Sequence, residues 1–261
     1  MAGSNPQKAP DRVARGKVRV DRWLVERGLA DSREKAQAMI LSGLVLVDER
    51  KVEKCGALIE AGATVRLLGS PPRFVSRAGL KLVEALDFFQ LDPRGKTALD
   101  IGASTGGFTD CLLQRGAARV FAVDVGTNQL DWKLRGDRRV TVLEKTNARY
   151  LKPEQISARA DIATMDVSFI SATLILPALP ALLVPGADLL LLVKPQFELS
   201  RAEIGAGGVV RDTTLHAKAV ERVQRKLGEL GFHGIAAHES VLPGAAGNRE
   251  YFLHAVWKKD A

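Results

Sequence analysis

Short apolar runs alternate with longer segments of helical spacing over most of the chain. Seven of these runs have the length of strands and are bounded by polar or turn-forming residues. Strands that alternate with helices favour a mainly parallel sheet covered on both faces, with the last two strands as candidates for an antiparallel edge. The pattern predicts an α/β fold that begins with a helix over residues 77–89. The strands are predicted over residues 97–101, 120–124, 140–143, 161–165, 189–193, 234–238 and 251–257.

The first third of the chain has a different pattern, with two short helices and short alternating strands. Helical spacing covers residues 20–26, and residues 31–34 offer the cap of a second helix that ends at Gly43. Residues 44–47 and 64–67 alternate in the way that half-buried strands do. These elements predict a small α+β domain.

Turn-forming residues separate the two patterns, because residues 69–72 read Gly-Ser-Pro-Pro. The polar start of the chain contains no apolar segment and so does not resemble a signal peptide. We expect a flexible tail over residues 1–16, the small domain over 17–69, a linker over 70–73 and the α/β domain over 74–261.

One apolar stretch has the length of a membrane span, since residues 174–193 carry Asp188 as their single charge. Prolines at positions 177, 180 and 185 interrupt the stretch. We therefore expect a helix, a turn and a buried strand here, without stable membrane insertion.

The chain has two cysteines, Cys55 and Cys111, which form neither a disulfide framework nor a metal quartet. A cytoplasmic location is expected.

The first strand of the α/β domain runs directly into a glycine-dense turn, Leu-Asp-Ile-Gly-Ala-Ser-Thr-Gly-Gly-Phe over residues 99–108. Glycines allow backbone to approach a ligand and to adopt positive φ. Asp124 closes the next strand, at the place where such domains hold an acid that accepts hydrogen bonds from a ribose. Glycine-rich turns also serve other ligands, but this one has neither the dinucleotide spacing nor a Gly-Lys-Ser/Thr for a triphosphate.

S-adenosylmethionine therefore fits this turn better than NAD or ATP. Asp100 would lie near the cationic methionine end of that cofactor. The cofactor-binding residues predicted from the turn and the next strand are Asp100, Gly102, Ala103, Ser104, Thr105, Gly106, Gly107 and Asp124.

Four charged residues stand where an α/β sheet gathers its reactive groups. Asp166 and Lys194 each follow a buried apolar strand, Glu250 precedes the last strand, and Lys81 lies on the helix that enters the domain. A charge at such a place is costly without a partner. The set suits methylation of a hydroxyl, which needs a group that orients the oxygen and removes or stabilises its proton. Lys194 is the candidate for that group, no metal is required, and ordinary ion pairs at strand ends are the alternative.

Charge points to a polyanionic partner, because the formal net charge is +8 and the pI is about 9.7. Residues 1–75 hold 14 Lys and Arg against 9 Asp and Glu. Many modestly basic proteins only solvate such charges, yet here several cations fall on two adjacent short helices, which suits phosphate contacts. The predicted RNA-binding residues are Arg19, Arg22, Arg27, Arg33 and Lys35.

Two resemblances, one to an RNA-binding motif and one to a group of methyltransferases, narrow the range of possible functions. Residues 19–33 and the spacing that follows them resemble the αL RNA-binding motif of a ribosomal small-subunit protein and of pseudouridine synthases. The α/β domain resembles the TlyA group of ribosomal RNA methyltransferases, also called haemolysin A. The runs that carry this second resemblance cover residues 75–82, 100–109, 122–126, 144–149, 166–171, 192–198 and 247–252.

The TlyA resemblance implies a Rossmann-like seven-stranded S-adenosylmethionine-dependent methyltransferase domain preceded by a small α+β RNA-binding domain. It implies 2′-O-methylation of cytidine in ribosomal RNA, with ribosomal RNA or ribosomal subunits as partners. The resemblance makes Lys81, Asp166, Lys194 and Glu250 the catalytic tetrad. It also brings Asn147 near adenine and adds Asp166 to the cofactor-binding residues. The chain ends at Ala261, whereas some relatives have a longer C-terminal segment, and we expect the large-subunit RNA to be the substrate.

Two other functions remain as alternatives. An enzyme acting on an exocyclic base nitrogen would favour Asn-Pro-Pro-Tyr after the fourth strand, where this chain has Asp166-Val-Ser-Phe. A membrane-active haemolysin would need an uninterrupted span or an export signal. The four histidines show no metal spacing near the cysteines, and Trp23 and Trp132, which could stack on bases, are expected to pack. Residues 205–210 are interpreted as a flap over the substrate, with a flexible loop as the alternative.

Overall fold

The computed structural model describes residues 16–30, 32–69, 73–244 and 247–258. Residues 1–15 of the expected tail and residues 70–72 of the expected linker lie outside these ranges. The chain divides into two compact units, and the boundary falls between Arg73 and Phe74. Each unit is built around apolar clusters of its own.

Within its described residues, the first unit combines two helices with five short strands. β1 pairs antiparallel with β4, and β2 pairs antiparallel with both β3 and β5. Ser32 caps α2, since its Oγ accepts a hydrogen bond from the N–H of Lys35. The elements are β1 (Lys17–Arg19), α1 (Val20–Glu26), α2 (Arg33–Leu41), β2 (Val45–Val47), β3 (Arg50–Lys51), β4 (Leu58–Glu60) and β5 (Val65–Leu67).

The part of the second unit that the structure describes contains seven strands, and its strands and α-helices follow in chain order. They are α3 (Ala78–Phe88), β6 (Thr97–Ile101), α4 (Gly107–Gln114), β7 (Arg119–Val123), α5 (Trp132–Arg135), β8 (Val140–Leu143), β9 (Ala160–Met165), β10 (Leu183–Val193), α6 (Pro195–Glu198), α7 (Thr213–Glu229), β11 (Phe232–Glu239) and β12 (Tyr251–Trp257).

All seven strands form one sheet in the order β11-β12-β10-β9-β6-β7-β8. β12 is antiparallel to β10 and β11, and the pairs from β10 through β8 are parallel. Leu189 and Leu191 of β10 pack in one apolar cluster, while Leu190 and Leu192 pack in another. The continuous run of leucines in β10 is therefore explained by apolar contacts on both faces of the sheet. The predicted α/β fold with an antiparallel edge is confirmed.

The prediction for residues 174–193 was wrong in two respects. The helix is a 3₁₀ segment over Leu176–Leu182, because Pro180 inside it lacks the N–H donor that an α-helix interior requires. The strand begins at Leu183, six residues earlier than predicted, and its pairing with β9 shifts register between Leu183 and Asp188. Among the described residues, no helix is long and apolar enough to cross a membrane.

The pattern also missed several elements. It did not single out α7, an amphipathic helix of 17 residues, or the four-residue helices α5 and α6. β1, β3 and β4 are only two or three residues long and show no readable alternation. Most of the predicted boundaries coincide with the observed ones or differ from them by one or two residues.

Candidate active site

The glycine-dense turn leaves the carboxyl end of β6 and leads into α4. Gly102 and Gly106 have φ of +81° and +101°, a region that favours glycine. A side chain at Gly102 would overlap the carbonyl oxygen of Asp166, and one at Gly107 would overlap Ser76 Oγ. The glycines therefore let the turn pack closely against its neighbouring loops, beside the cavity described below.

Asp124 connects this turn to the end of β7. Its Oδ2 accepts a hydrogen bond from the N–H of Ser104 at 2.8 Å, and its Oδ1 accepts one from the N–H of Gly126 at 2.7 Å. The carboxylate is half-buried at the edge of the sheet. Each of its oxygens retains a lone pair that can accept another donor, such as a hydroxyl group.

Asp100 lies beneath the turn and is completely buried. Thr109 Oγ1 donates to its Oδ2 at 2.6 Å, and Thr164 Oγ1 donates to its Oδ1 at 3.0 Å. Burial raises the pKa of this carboxyl to about 6, and the two hydroxyl contacts oppose that rise. The position of Asp100 beside a cationic ligand group stays a prediction; in the structure its carboxyl is engaged by two threonines under the turn.

Lys194 and Asp166 form an ion pair at the carboxyl ends of β10 and β9. The distance between Lys194 Nζ and Asp166 Oδ1 is 2.5 Å, with 12% and 18% of the side chains exposed. Lys194 Nζ also donates to Ser168 Oγ at 2.9 Å. This ammonium group is thus fixed by two oxygens of one loop while part of it remains accessible.

Lys81 and Glu250 form a second ion pair, which is more deeply buried. Their Nζ and Oε2 atoms are 2.5 Å apart, and 7% and 3% of the side chains are exposed. Val193 of β10 pairs with Tyr251 of β12, so Lys194 and Glu250 occupy the adjoining positions at the same edge of the sheet. The structure therefore brings together the four charged residues that the sequence singled out, as two ion pairs.

A cavity of about 220 Å³ lies between the glycine turn and the Lys194–Asp166 pair. It includes six of the residues predicted from sequence and four that were missed. The predicted lining residues are Gly102, Ala103, Ser104, Gly107, Asp166 and Lys194, and the missed ones are Ser76, Ala78, Phe108 and Ser168.

The remaining predicted cofactor residues lie outside this lining. Thr105 is exposed, and its carbonyl oxygen accepts from the N–H of Asp131. Asn147 is exposed after β8 and caps a 3₁₀ turn, with its Oδ1 accepting from the N–H of Arg149 at 3.1 Å.

A buried carboxyl that sequence reasoning missed connects the two loops of the Lys194–Asp166 pair. Glu198, on α6, accepts hydrogen bonds from Ser171 Oγ at 2.5 Å and from the N–H of Ala172 at 2.7 Å. Burial raises the pKa of this carboxyl. Because Ser171 follows Asp166 by five residues and Glu198 follows Lys194 by four, these bonds brace the loops that carry the ion pair.

Two aromatic side chains stand beside the same loops. Phe169 is 92% exposed and has a φ of +64°, and its ring centroid lies 5.3 Å from that of Phe197. Both phenylalanines lie in sequence runs that contain a predicted tetrad residue. The exposure of Phe169 could not be read from its run, because phenylalanines in such positions are usually buried.

The segment interpreted as a flap is anchored at its end. Asn248 Oδ1 accepts from the N–H of Val210 at 2.9 Å, and Asn248 Nδ2 donates to the carbonyl of Gly208 at 3.0 Å. His216 Nε2 lies 2.8 Å from the carbonyl oxygen of Val210, and its Nδ1 lies 3.0 Å from Tyr251 Oη. Asn248 and Tyr251 flank Glu250, so the anchored end belongs to the same edge of the sheet.

The cations of the first unit differ in their surroundings. Arg19 and Arg33 bind Asp21 at 2.8–3.0 Å, whereas Arg22 Nη2 lies 3.5 Å from Glu26 on the exposed face of α1. The other two are Arg27, whose guanidinium lies 5.4 Å from the ring centroid of Trp23, and Lys35 in the first turn of α2.

Acidic side chains pair with two of the remaining histidines. His238 binds Glu84 and stacks on Phe88, and His254 binds Asp188 at 3.0 Å. Within the described ranges, no group of three or more His, Cys, Asp or Glu residues could hold a metal ion.

Comparison with family models matches both units. The FtsJ-like methyltransferase family matches residues 74–257. The S4 domain matches residues 18–65.

Individual relatives align over nearly the whole chain. The 16S/23S rRNA (cytidine-2′-O)-methyltransferase TlyA of Mycobacterium tuberculosis is 48% identical over 91% of this chain and 89% of the relative. Hemolysin A of Brachyspira hyodysenteriae is 40% identical over 92% of this chain and 100% of the relative. The solved structure "Putative hemolysin from Streptococcus thermophilus" has a TM-score of 0.73 at 44% identity and covers 95% of this chain and 90% of that one.

Proposed function

The chain belongs to the TlyA family of FtsJ-like methyltransferases, and from this premise we propose that it methylates the 2′-hydroxyl of a cytidine in ribosomal RNA with S-adenosylmethionine as donor. The observation that carries the proposal is the Lys194–Asp166 ion pair on the wall of the glycine-lined cavity. The 48% identical Mycobacterium tuberculosis relative is named for this reaction on both 16S and 23S RNA. The large-subunit RNA is the substrate that we propose first.

The residues around the cavity suit the proposed cofactor. Gly102 and Gly107 line the cavity, and the half-buried carboxylate of Asp124 can accept hydrogen bonds from ribose hydroxyls. Asn147, after the next strand of the sheet, would lie near the adenine. When bound, S-adenosylmethionine would supply a methyl group on a positively charged sulfur.

The Lys194 ammonium is the group that would act on the acceptor hydroxyl. A ribose hydroxyl is a weak acid, so its oxygen has to be oriented and its developing negative charge stabilised while its proton passes to solvent water. Lys194 Nζ is already held by Asp166 and Ser168, so little reorganisation would be needed when the hydroxyl arrives. Glu250 and Lys81 would keep the adjoining strand end and α3 in register with this group.

The first unit supports RNA as the substrate. It matches the S4 domain and carries Arg22 on the exposed side of α1 and an exposed Arg27 directly after that helix. Cations on adjacent short helices bind phosphate groups without reading sequence. We propose that this unit contributes affinity for ribosomal RNA, while the second unit carries out the transfer.

Methyl transfer to purified ribosomal subunits and to their naked RNAs tests the proposal. Labelled S-adenosylmethionine and nucleoside analysis should yield 2′-O-methylcytidine from the large-subunit substrate. Label on the small subunit would extend the substrate range, and label on a base nitrogen would replace the proposed reaction. Cofactor binding without transfer to any ribosomal substrate would contradict it.

A further inference from the structure

One buried carboxylate organises the basic surface of the first unit. Asp21 lies in the first turn of α1, and none of its side chain is exposed. Its Oδ1 accepts hydrogen bonds from Arg19 Nε at 3.0 Å and from the N–H of Arg22 at 2.9 Å. Its Oδ2 accepts from Arg19 Nη2 at 2.8 Å, Arg33 Nε at 2.9 Å and Gln37 Nε2 at 3.1 Å.

The two arginines reach the carboxylate from outside and remain partly open to solvent. The exposed fractions of the Arg19 and Arg33 side chains are 40% and 52%. Arg33 uses only its Nε toward Asp21, and within the described part of the chain its two terminal nitrogens have no hydrogen-bond partner. A guanidinium group in this state presents two parallel N–H donors, which match two oxygens of one phosphate group.

Arg19 is held from a second side as well. A Cβ atom at Gly56 would come within 3.1–3.3 Å of the Arg19 guanidinium atoms, so this glycine lets the planar group lie against backbone. The conformation of Arg19 is thus set by Asp21 and by the close approach of Gly56.

We propose that Asp21 is a positioning residue that fixes the guanidinium groups of Arg19 and Arg33 for phosphate groups of the RNA substrate. The inference rests on the RNA-binding role proposed above and names the group that prepares this surface. Long cationic side chains normally lose conformational freedom when they bind, and side chains held in advance lose less. The hydrogen bonds from Arg19 keep the pKa of the Asp21 carboxyl well below its usual range, so the carboxylate stays ionised at the pH of RNA binding.

Neutralising Asp21 has two effects on RNA affinity, one from the lost charge and one from the lost positioning of the arginines, and their signs are opposite. Asp21→Asn removes a negative charge near the proposed phosphate site, so charge alone would strengthen RNA binding. Loss of positioning would weaken it, because Arg19 and Arg33 would no longer be held. A role confined to folding would lower the unfolding temperature but would not weaken the RNA affinity of the remaining folded protein.

The affinity of the full chain for purified large-subunit RNA, measured at two salt concentrations, distinguishes these outcomes. We expect Asp21→Asn to raise the Kd at least about fivefold, although one fewer negative charge is present. The matched control is Glu26→Gln, which removes an exposed carboxylate from the same helix and is expected to leave the Kd unchanged or to lower it. An unchanged or lower Kd for folded Asp21→Asn would overturn the inference.

Gly56→Ala tests the same point without changing any charge or the buried carboxylate. The added methyl group should displace the Arg19 guanidinium and weaken RNA binding, so an unchanged Kd would count against the inference even where Asp21→Asn fails to fold. Arg33→Ala distinguishes RNA binding by this face of the first unit from the positioning role of Asp21. If it leaves the affinity unchanged, Arg33 does not bind RNA and the inference fails. If it weakens binding while Asp21→Asn strengthens it, the face binds RNA and Asp21 has no positioning role.

Discussion

Lys81 Nζ lies 2.5 Å from Glu250 Oε2, and both side chains are almost completely buried. Removing one member of a buried pair leaves an uncompensated charge, whereas replacing both with apolar groups of similar size is often tolerated. The pair joins α3 to Glu250, the residue directly before β12. It lies beside the Lys194–Asp166 pair. It therefore offers a way to separate the stability of this edge of the sheet from its chemistry.

Glu250→Leu should lower the free energy of unfolding by about 3–5 kcal/mol, because Lys81 then remains buried without its partner. The double variant Lys81→Met and Glu250→Leu should recover most of this loss and still fail to transfer methyl groups. Denaturant unfolding and methyl-transfer assays on the three proteins provide the comparison. A stable double variant with normal transfer would limit the pair to a structural role.

Asp100 should make stability depend on pH in the weakly acidic range. Its pKa is about 6 in the folded chain, above the value of about 3.9 expected when the chain is unfolded. Because the folded state binds the proton more tightly, the Asp100 contribution to unfolding free energy falls by about 3 kcal/mol as the pH rises from about 4 to above 6. Asp100→Asn can keep contacts to both Thr109 and Thr164 and should lose this dependence.

Unfolding free energies of the wild type and Asp100→Asn at several pH values check this prediction. The difference between the two proteins should favour the wild type more at about pH 4 than at about pH 7. A difference that stays constant over this range would mean that Asp100 does not titrate as described.

The segment over residues 205–210 should respond to the cofactor. Asn248 holds Gly208 and Val210 beside Glu250, and Gly207 and Gly208 have φ of +79° and +75°. We expect hydrogen exchange in this segment to change when S-adenosylmethionine is added, and Asn248→Ala to increase exchange without it. Identical protection of the wild type with and without cofactor would refute the flap interpretation.

Removal of residues 1–69 should separate RNA binding from cofactor binding. The second unit keeps both of its apolar clusters, and the deletion removes the five cations assigned to RNA. RNA affinity and its dependence on salt should both decrease, because fewer phosphate contacts release fewer counterions. Affinity for S-adenosylmethionine, measured by calorimetry, serves as the control for folding. Unchanged RNA affinity would mean that the unit resembling the αL motif does not contribute to RNA binding.

The strands were readable from sequence because the central ones are buried on both faces. The leucines of β10 form a continuous apolar run that ends in Lys194, and the charge at that point drew attention to the site. The same reasoning failed before Leu183, where prolines convert a helical pattern into a 3₁₀ segment and the strand continues through Pro185. Hydrophobic periodicity alone does not distinguish these cases.

The site was predictable only to the extent that each residue's role follows from its own place in the chain. Glycines in a strand-to-helix turn and charges after apolar strands carry such signals. Glu198 and Asp21 carry none, because their roles arise from contacts with residues 26–27 and 12–16 positions away. Phe169 resembles a core residue in the sequence, and only the fold shows that it is exposed.

The single-turnover rate of methyl transfer by Lys194→Ala shows whether Lys194 acts on the acceptor hydroxyl. Measured with RNA and S-adenosylmethionine at saturating concentrations, the rate should fall by a factor of about 10²–10⁴, while both dissociation constants change by less than about threefold. Such a result would place Lys194 in the transfer step itself. A rate within about fivefold of the wild type would contradict the assignment of the acceptor hydroxyl to Lys194.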